Sequence, residues 1–173
     1  MVELVTAPDN RLRVKTKFVK NISPELKNLF ADMVKLTKTF VDPEGVGLAS
    51  TQVGRDGQFF VAKIDDGTFK EFINPKILKT SKKTKARFEG CLSIPNYYGE
   101  VQRHIWIKVS YTDILGVLHE ERLTGLLAWV FQHEVDHLQG KLFMDHILEN
   151  KSKLYKVVGK DAAGSDVFEQ VSL

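Results

Sequence analysis

A single cysteine, Cys91, is present among the 173 residues. No intramolecular disulfide can form, which excludes the small disulfide-stapled folds and fits a reducing compartment. Apolar runs stop well short of the roughly 20 residues needed to span a bilayer. The stretch from Met1 to Arg13 carries Glu3, Pro8 and Asp9 where a signal peptide would be apolar. Charge of one sign is scarce too, since 25 basic against 22 acidic residues leave a formal +3. That excess does not mark nucleic acid or membrane as a partner. These absences predict a cytoplasmic protein with no membrane association and no sequence-specific nucleic-acid binding. What is present is apolar content, 43% of residues, enough for this length to bury about two-thirds of its unfolded surface in one core. We expect one domain over 1–173, with a flexible basic tail from about 148.

Ser23-Pro24-Glu25 supplies a helix cap, a proline at the first helical position and an early acid. Leu26, Leu29, Phe30, Met33, Thr37 and Phe40 keep helical spacing until Asp42-Pro43, which predicts a helix over roughly 24–41. Gly45-Val46-Gly47-Leu48-Ala49-Ser50-Thr51-Gln52 follows, a small-residue segment whose glycines let backbone approach another group closely. Phe59 to Ile64, Phe72 to Leu78 and Ile105 to Thr112 read as strands, and Val117 to Leu123 as a hairpin partner after Gly116. Thr124 is placed to cap a second helix over roughly 125–139, ending near Gly140. Lys79, Lys82, Lys83, Lys85 and Arg87 read as a solvated loop. Beyond Ile147 only weak helical periodicity is visible, broken at Gly159 and Gly164, with Lys151, Lys153, Lys156 and Lys160 supplying charge.

The second helix carries Gln132-His133-Glu134-Val135-Asp136-His137. Four helical residues turn through about 400° and rise about 6 Å. His133 and His137 therefore share one face, one turn apart, and can reach one ion. Glu134 lies at the edge of that face, close enough to touch a water beside the ion without binding it. A hydrolytic metal site of this type needs a third protein ligand. Cys91, in Glu89-Gly90-Cys91-Leu92-Ser93-Ile94-Pro95, is the candidate. Alone, such a cysteine reads as a small buried apolar residue or as a nucleophile. Beside two histidines and a glutamate, ligation is the reading that uses all four groups.

Gly45-Val46-Gly47-Leu48-Ala49 with Gln52, Glu89-Gly90-Cys91-Leu92-Ser93, and His133-Glu134-Val135-Asp136-His137-Leu138 together resemble the three motifs of the peptide deformylases in type, order and spacing. The resemblance extends over roughly 5–147, through Ala7-Pro8-Asp9 and Gly140-Lys141-Leu142-Phe143. It implies an α+β fold, with antiparallel sheets packed around the helix that carries the His-Glu-His motif and a further helix nearer the N-terminus. It also implies removal of the formyl group from the N-terminal formylmethionine of nascent polypeptides. In that reading Cys91, His133 and His137 hold the metal, Glu134 moves the proton of the attacking water, and Gln52 with the Leu92 backbone N–H meets the oxyanion. The backbone of Val46 and Gly47 would pair with the peptide as an added strand.

On the helical wheel Leu126 and Val130 fall at about +20° and +60° from His133 and Trp129 at about −40°, so all three are expected to wall a pocket beside the metal. Arg103 is expected to pair with Glu89, a carboxylate that can alternatively bond a ligand histidine from behind. Two imidazoles and a thiolate suit Zn²⁺, Fe²⁺, Co²⁺ or Ni²⁺, and the resemblance favours Fe²⁺ in the cell. It further suggests ribosome docking by the tail. One departure stands out: many deformylases carry an arginine seven residues after the cysteine, where this chain has Tyr98.

Overall fold

The Ser23 side chain accepts the Leu26 N–H at 3.3 Å and Pro24 takes the first helical position, so α1 (Pro24–Lys38) begins where its cap residues require. This computed structural model describes residues 2–172. Phe30, Met33 and Thr37 form the buried stripe of α1. The helix closes about a turn earlier than the apolar spacing suggests, because the Thr39 hydroxyl and N–H both turn back onto Leu36. Phe40 thus leaves the helix and enters the loop ahead of the glycine-rich segment.

Nine strands follow among the described residues: β1 (Gly47–Ala49), β2 (Phe59–Lys63), β3 (Phe69–Thr80), β4 (Thr84–Cys91), β5 (Ile94–His104), β6 (Trp106–Thr112), β7 (Leu118–Thr124), β8 (Leu154–Lys160) and β9 (Asp166–Val171). Every ladder is antiparallel. One sheet has the order β1-β2-β3-β6-β7 and the other β4-β5-β8-β9. Two further helices, α2 (Gly125–Leu138) and α3 (Phe143–Asn150), complete the α+β architecture. The expected β6–β7 hairpin forms in register from Trp106↔Thr124 to Thr112↔Leu118. At its tip Asp113 Oδ1 accepts the Leu115 and Val117 N–H groups, and Gly116 supplies φ +85°.

Helix α2 touches strands of both sheets. On one side Phe131 meets Phe60 and Phe72 edge-on, with centroids 5.0 and 5.4 Å apart, and Phe72 meets Tyr111 at 4.7 Å. Such edge-to-face contacts add to the apolar burial that holds helix to sheet. Toward the other sheet Gln132 makes a two-way clamp, accepting the His104 N–H and donating to the His104 carbonyl, both at 3.0 Å. Thr124 occupies the cap position of α2, but its side chain caps nothing.

Two segments differ from the sequence expectation. Lys79 lies in the last part of β3, and Lys85 and Arg87 lie in β4, so only 81–83 remain as the turn between them. Their charge is that of an edge strand, since β4 lies at the margin of its sheet, where charged side chains discourage pairing with other chains. The basic segment after α3 is a hairpin rather than a weak helix: β8 pairs with β5 through Tyr98↔Tyr155 and Gly99↔Leu154, and with β9 up to Lys160↔Asp166. The ladder shifts register between Val157 and Gly159, and Gly164 turns at φ +82°. Gly159 and Gly164, helix breakers in sequence, are thus bulge and turn residues.

Replacing Phe131 by Ala should lower stability by about 3–5 kcal/mol in urea unfolding. Leu115→Ala, at the exposed β6–β7 tip, should stay within about 0.5 kcal/mol. Equal effects would mean that the α2 aromatic contacts do not hold the core.

Candidate metal centre

Cys91 ends β4 and pairs with Ile94, so Leu92 and Ser93 form a two-residue turn that presents the thiol. The N-terminal segment braces this turn, since the Ala7 N–H donates to the Ser93 carbonyl at 2.8 Å and the Val5 N–H to the Gln52 carbonyl at 2.7 Å. Helix α2 brings His133 and His137 to the same point. Cys91 Sγ lies 3.2 Å from His137 Nε2, and one ligand atom from each of the three residues falls within 4.8 Å of the others. Burial opposes ionisation of the thiol, but His137 and His133 overcome it and bring Cys91 down to about 5. Thiolate is the form that ligates metal.

Behind the donors lies a buried carboxylate. Glu89 accepts two bonds from Arg103, Nε at 2.7 Å and Nη2 at 2.9 Å, and one at 3.0 Å from His133 Nδ1. The Trp129 indole N–H donates to it as well. Burial pushes the Glu89 carboxyl up, and Arg103 with His133 more than offsets this, holding it well below the usual carboxylate range. With its Nδ1–H committed to Glu89, His133 has Nε2 left as a lone-pair donor. Arg103 Nη1 continues to Asp136 at 2.6 Å, which His146 Nε2 meets at 2.7 Å. This arm ties α2, β5 and α3 together.

Glu134 is 3% exposed, and burial pushes its carboxyl up to about 7 against the pull of His133 and His137. Its Oε2 has no hydrogen-bond partner among the described residues. Gly47 makes this placement possible, because a Cβ there would collide with Glu134 Oε1 and stand 2.8 Å from Val130 Cγ1. Gln52 is oriented by its own turn: Oε1 accepts the Ala49 N–H at 2.8 Å, while Nε2 reaches Ser93 Oγ at 3.0 Å and Cys91 Sγ at 3.5 Å. A thiolate, two imidazoles, one of them backed by a carboxylate, and a buried acid beside them together suit a divalent transition ion. The residues fit such a group.

A cleft of about 860 Å³ opens beside these donors. Val46, Gly47, Leu126, Trp129 and Val130 all line it, as do Gln52 and Leu92. Leu126 is 46% exposed and so forms the rim rather than the depth.

The profile described as polypeptide deformylase matches residues 1–153. The chain belongs to the polypeptide deformylase family. It is 42% identical over 158 residues to the peptide deformylase of Rhodopseudomonas palustris (strain BisA53), covering 88% of this chain and 86% of that one. It is 38% identical over 166 residues to the Nitrobacter hamburgensis peptide deformylase, covering 91% of this chain and 92% of that one. Among solved structures, that of the Thermotoga maritima peptide deformylase superposes with a TM-score of 0.78 at 38% identity, over 84% of this chain and 97% of the other.

Set in the deformylase family, two features of the cleft escaped sequence reasoning. Ser93, inside a recognised motif, orients Gln52. The β8–β9 hairpin also reaches the cleft through Val157, Gly159, Lys160 and Asp166. Asp136 sits inside the helical motif and its spacing could have flagged it, whereas only the folded sheet brings the hairpin near. Tyr98 lines the cleft too, with its ring over Gly90.

Glu89→Gln should weaken Zn²⁺ binding about 10- to 100-fold in a chelator competition, because the His133 orientation is lost. Unchanged affinity would show that Glu89 serves only the fold.

Proposed function

We propose that this chain hydrolyses the N-formyl group of the N-terminal formylmethionine on newly made polypeptides, yielding formate and a free amine. One observation carries the reading: Cys91, His133, Gln52 and Glu134 line one cleft, with the buried His137 imidazole 3.2 Å from the thiol and the Gln52 amide 3.5 Å from it.

Cys91, His133 and His137 would hold one divalent ion, Fe²⁺ in the cell, with Zn²⁺, Ni²⁺ or Co²⁺ accepted in purified protein. Such an ion lowers the pKa of water toward neutrality and polarises the formyl oxygen. Glu134 accepts the proton of the attacking water and delivers it to the amine nitrogen as the C–N bond breaks. Burial suits it to both roles, since a carboxyl with a raised pKa can hold a proton near neutral pH. The Gln52 amide and the Leu92 backbone N–H donate to the oxyanion, each worth about 3–4 kcal/mol in comparable sites. Gln52 is preorganised for this by Ala49 and Ser93. Val46 and Gly47 offer backbone to the peptide, while Leu126, Trp129 and Val130 form the apolar wall for the methionine side chain. The encounter takes place in the cytoplasm, with the nascent chain near the ribosomal exit.

Formate release from formyl-Met-Ala-Ser by metal-defined protein tests this directly. Glu134→Gln should cut kcat about 10²- to 10⁴-fold, and Gln52→Ala about 10²- to 10³-fold, both with the metal retained; Cys91→Ser should lose the metal. Release that is unaffected by Glu134→Gln would sink the assignment of the proton carrier.

Brief peroxide exposure should inactivate the iron form and spare a nickel-substituted sample, because the ferrous thiolate site is the oxidisable one. Equal sensitivity would place the damage elsewhere.

A further inference from the structure

The family match ends at residue 153, yet part of the cleft wall comes from beyond it. Val157, Gly159, Lys160 and Asp166 of the β8–β9 hairpin line the cleft that holds Cys91 and Glu134. Aromatic packing seats the hairpin there. Tyr98, paired across the ladder with Gly90, stacks on Phe88 at 5.6 Å and 10°, and Phe168 of β9 meets both rings edge-on at 5.4 and 5.3 Å. A Cβ on Gly90 would stand 2.8 Å from Tyr98 Cδ1, so the glycine beside Cys91 is what admits this ring.

At the cleft mouth Lys160 Nζ contacts Asp166 Oδ1 at 3.0 Å on its own hairpin and Asp42 Oδ2 at 2.9 Å on the loop after α1. The second contact crosses from one wall of the cleft to the other. Lys160 is 51% exposed and Asp42 68%, so their pair is weakly held and can open for a chain passing between them. Asp166, 23% exposed, keeps the ammonium at the mouth when Asp42 lets go.

We propose that the C-terminal hairpin is the outer wall of the substrate cleft and that Lys160 is a positioning residue for the peptide downstream of the formylated one. This rests on the deformylase reading above. With the formyl carbon at the Cys91–His133–His137 donors, a cleft of about 860 Å³ has room for more than one residue. The following residues run toward the hairpin. Whatever their side chains, they present carbonyl oxygens, and an ammonium that donates to them recognises chain length rather than sequence. That suits a substrate whose only constant part is its first residue. Lys160 does not touch the reacting bond, and its contribution is to hold the chain in line with it.

The test compares formyl-Met-Ala-Ser-amide with formyl-Met-amide on nickel-loaded protein, the amides removing any free carboxylate that a lysine would attract. In Lys160→Met the ratio of kcat/KM for the longer over the shorter substrate should fall about tenfold, through KM of the longer one. Lys160→Arg should restore the ratio, and the nickel content should stay at one per chain in both. A ratio within twofold of wild type in Lys160→Met overturns the inference. Absence of formate from both peptides with the wild-type protein would instead remove the deformylase reading, and the inference with it.

Discussion

The Glu89 carboxylate is the point on which the site depends. It is buried at the end of β4 and takes donors from three side chains: two from Arg103 on β5, and one each from Trp129 and His133 on α2. A buried charge stranded by loss of its partner destabilises by about 3–5 kcal/mol, so the two strands and the helix must keep their mutual placement for Glu89 to stay satisfied. The same bonds fix the tautomer of His133. The ion pair is therefore a geometric constraint more than a source of stability. It turns the packing of α2 against the second sheet into the orientation of His133, a candidate metal ligand.

Close approach is the second requirement, and two glycines provide it. Gly47 lets β1 pass beside Glu134 and Val130, and Gly90 lets Tyr98 lie against the strand that ends in the thiol. One brings the strand proposed to pair with the peptide up to the buried acid proposed to carry the proton. The other seats an aromatic cluster that carries the C-terminal hairpin to the cleft. Both are backbone contacts, and no residue with a Cβ satisfies them without displacing the site.

The helical motif was legible because its chemistry and its period coincide: His133 and His137 one turn apart require a helix, and the helix bounds follow from Thr124 and Gly140. The β6–β7 hairpin was legible from alternation about Gly116. Strand β4 was not, since its edge position fills it with Lys85 and Arg87 and hides the alternation. Helix α3 spans only eight residues and is capped from within, Asp145 Oδ2 accepting the Leu142 N–H at 2.7 Å, so it offers little periodicity to detect. The β8–β9 hairpin buries little beyond Leu154, which leaves no two-residue pattern for the eye. Of the site, the side chains that meet at the cleft, Cys91, His133, Glu134 and Gln52, stand in three short motifs. Ser93 behind Gln52, Trp129 on Glu89 and Lys160 at the mouth depend on contacts between distant segments, which only the fold supplies.

The proposed chemistry requires one thiolate and two imidazoles to meet a single ion. X-ray absorption on zinc-loaded protein examines that shell without reference to turnover. The expected spectrum has one sulfur at about 2.3 Å and two imidazole nitrogens at about 2.0–2.1 Å, with the sulfur absent in Cys91→Ser. A wild-type shell of nitrogen and oxygen alone would contradict it.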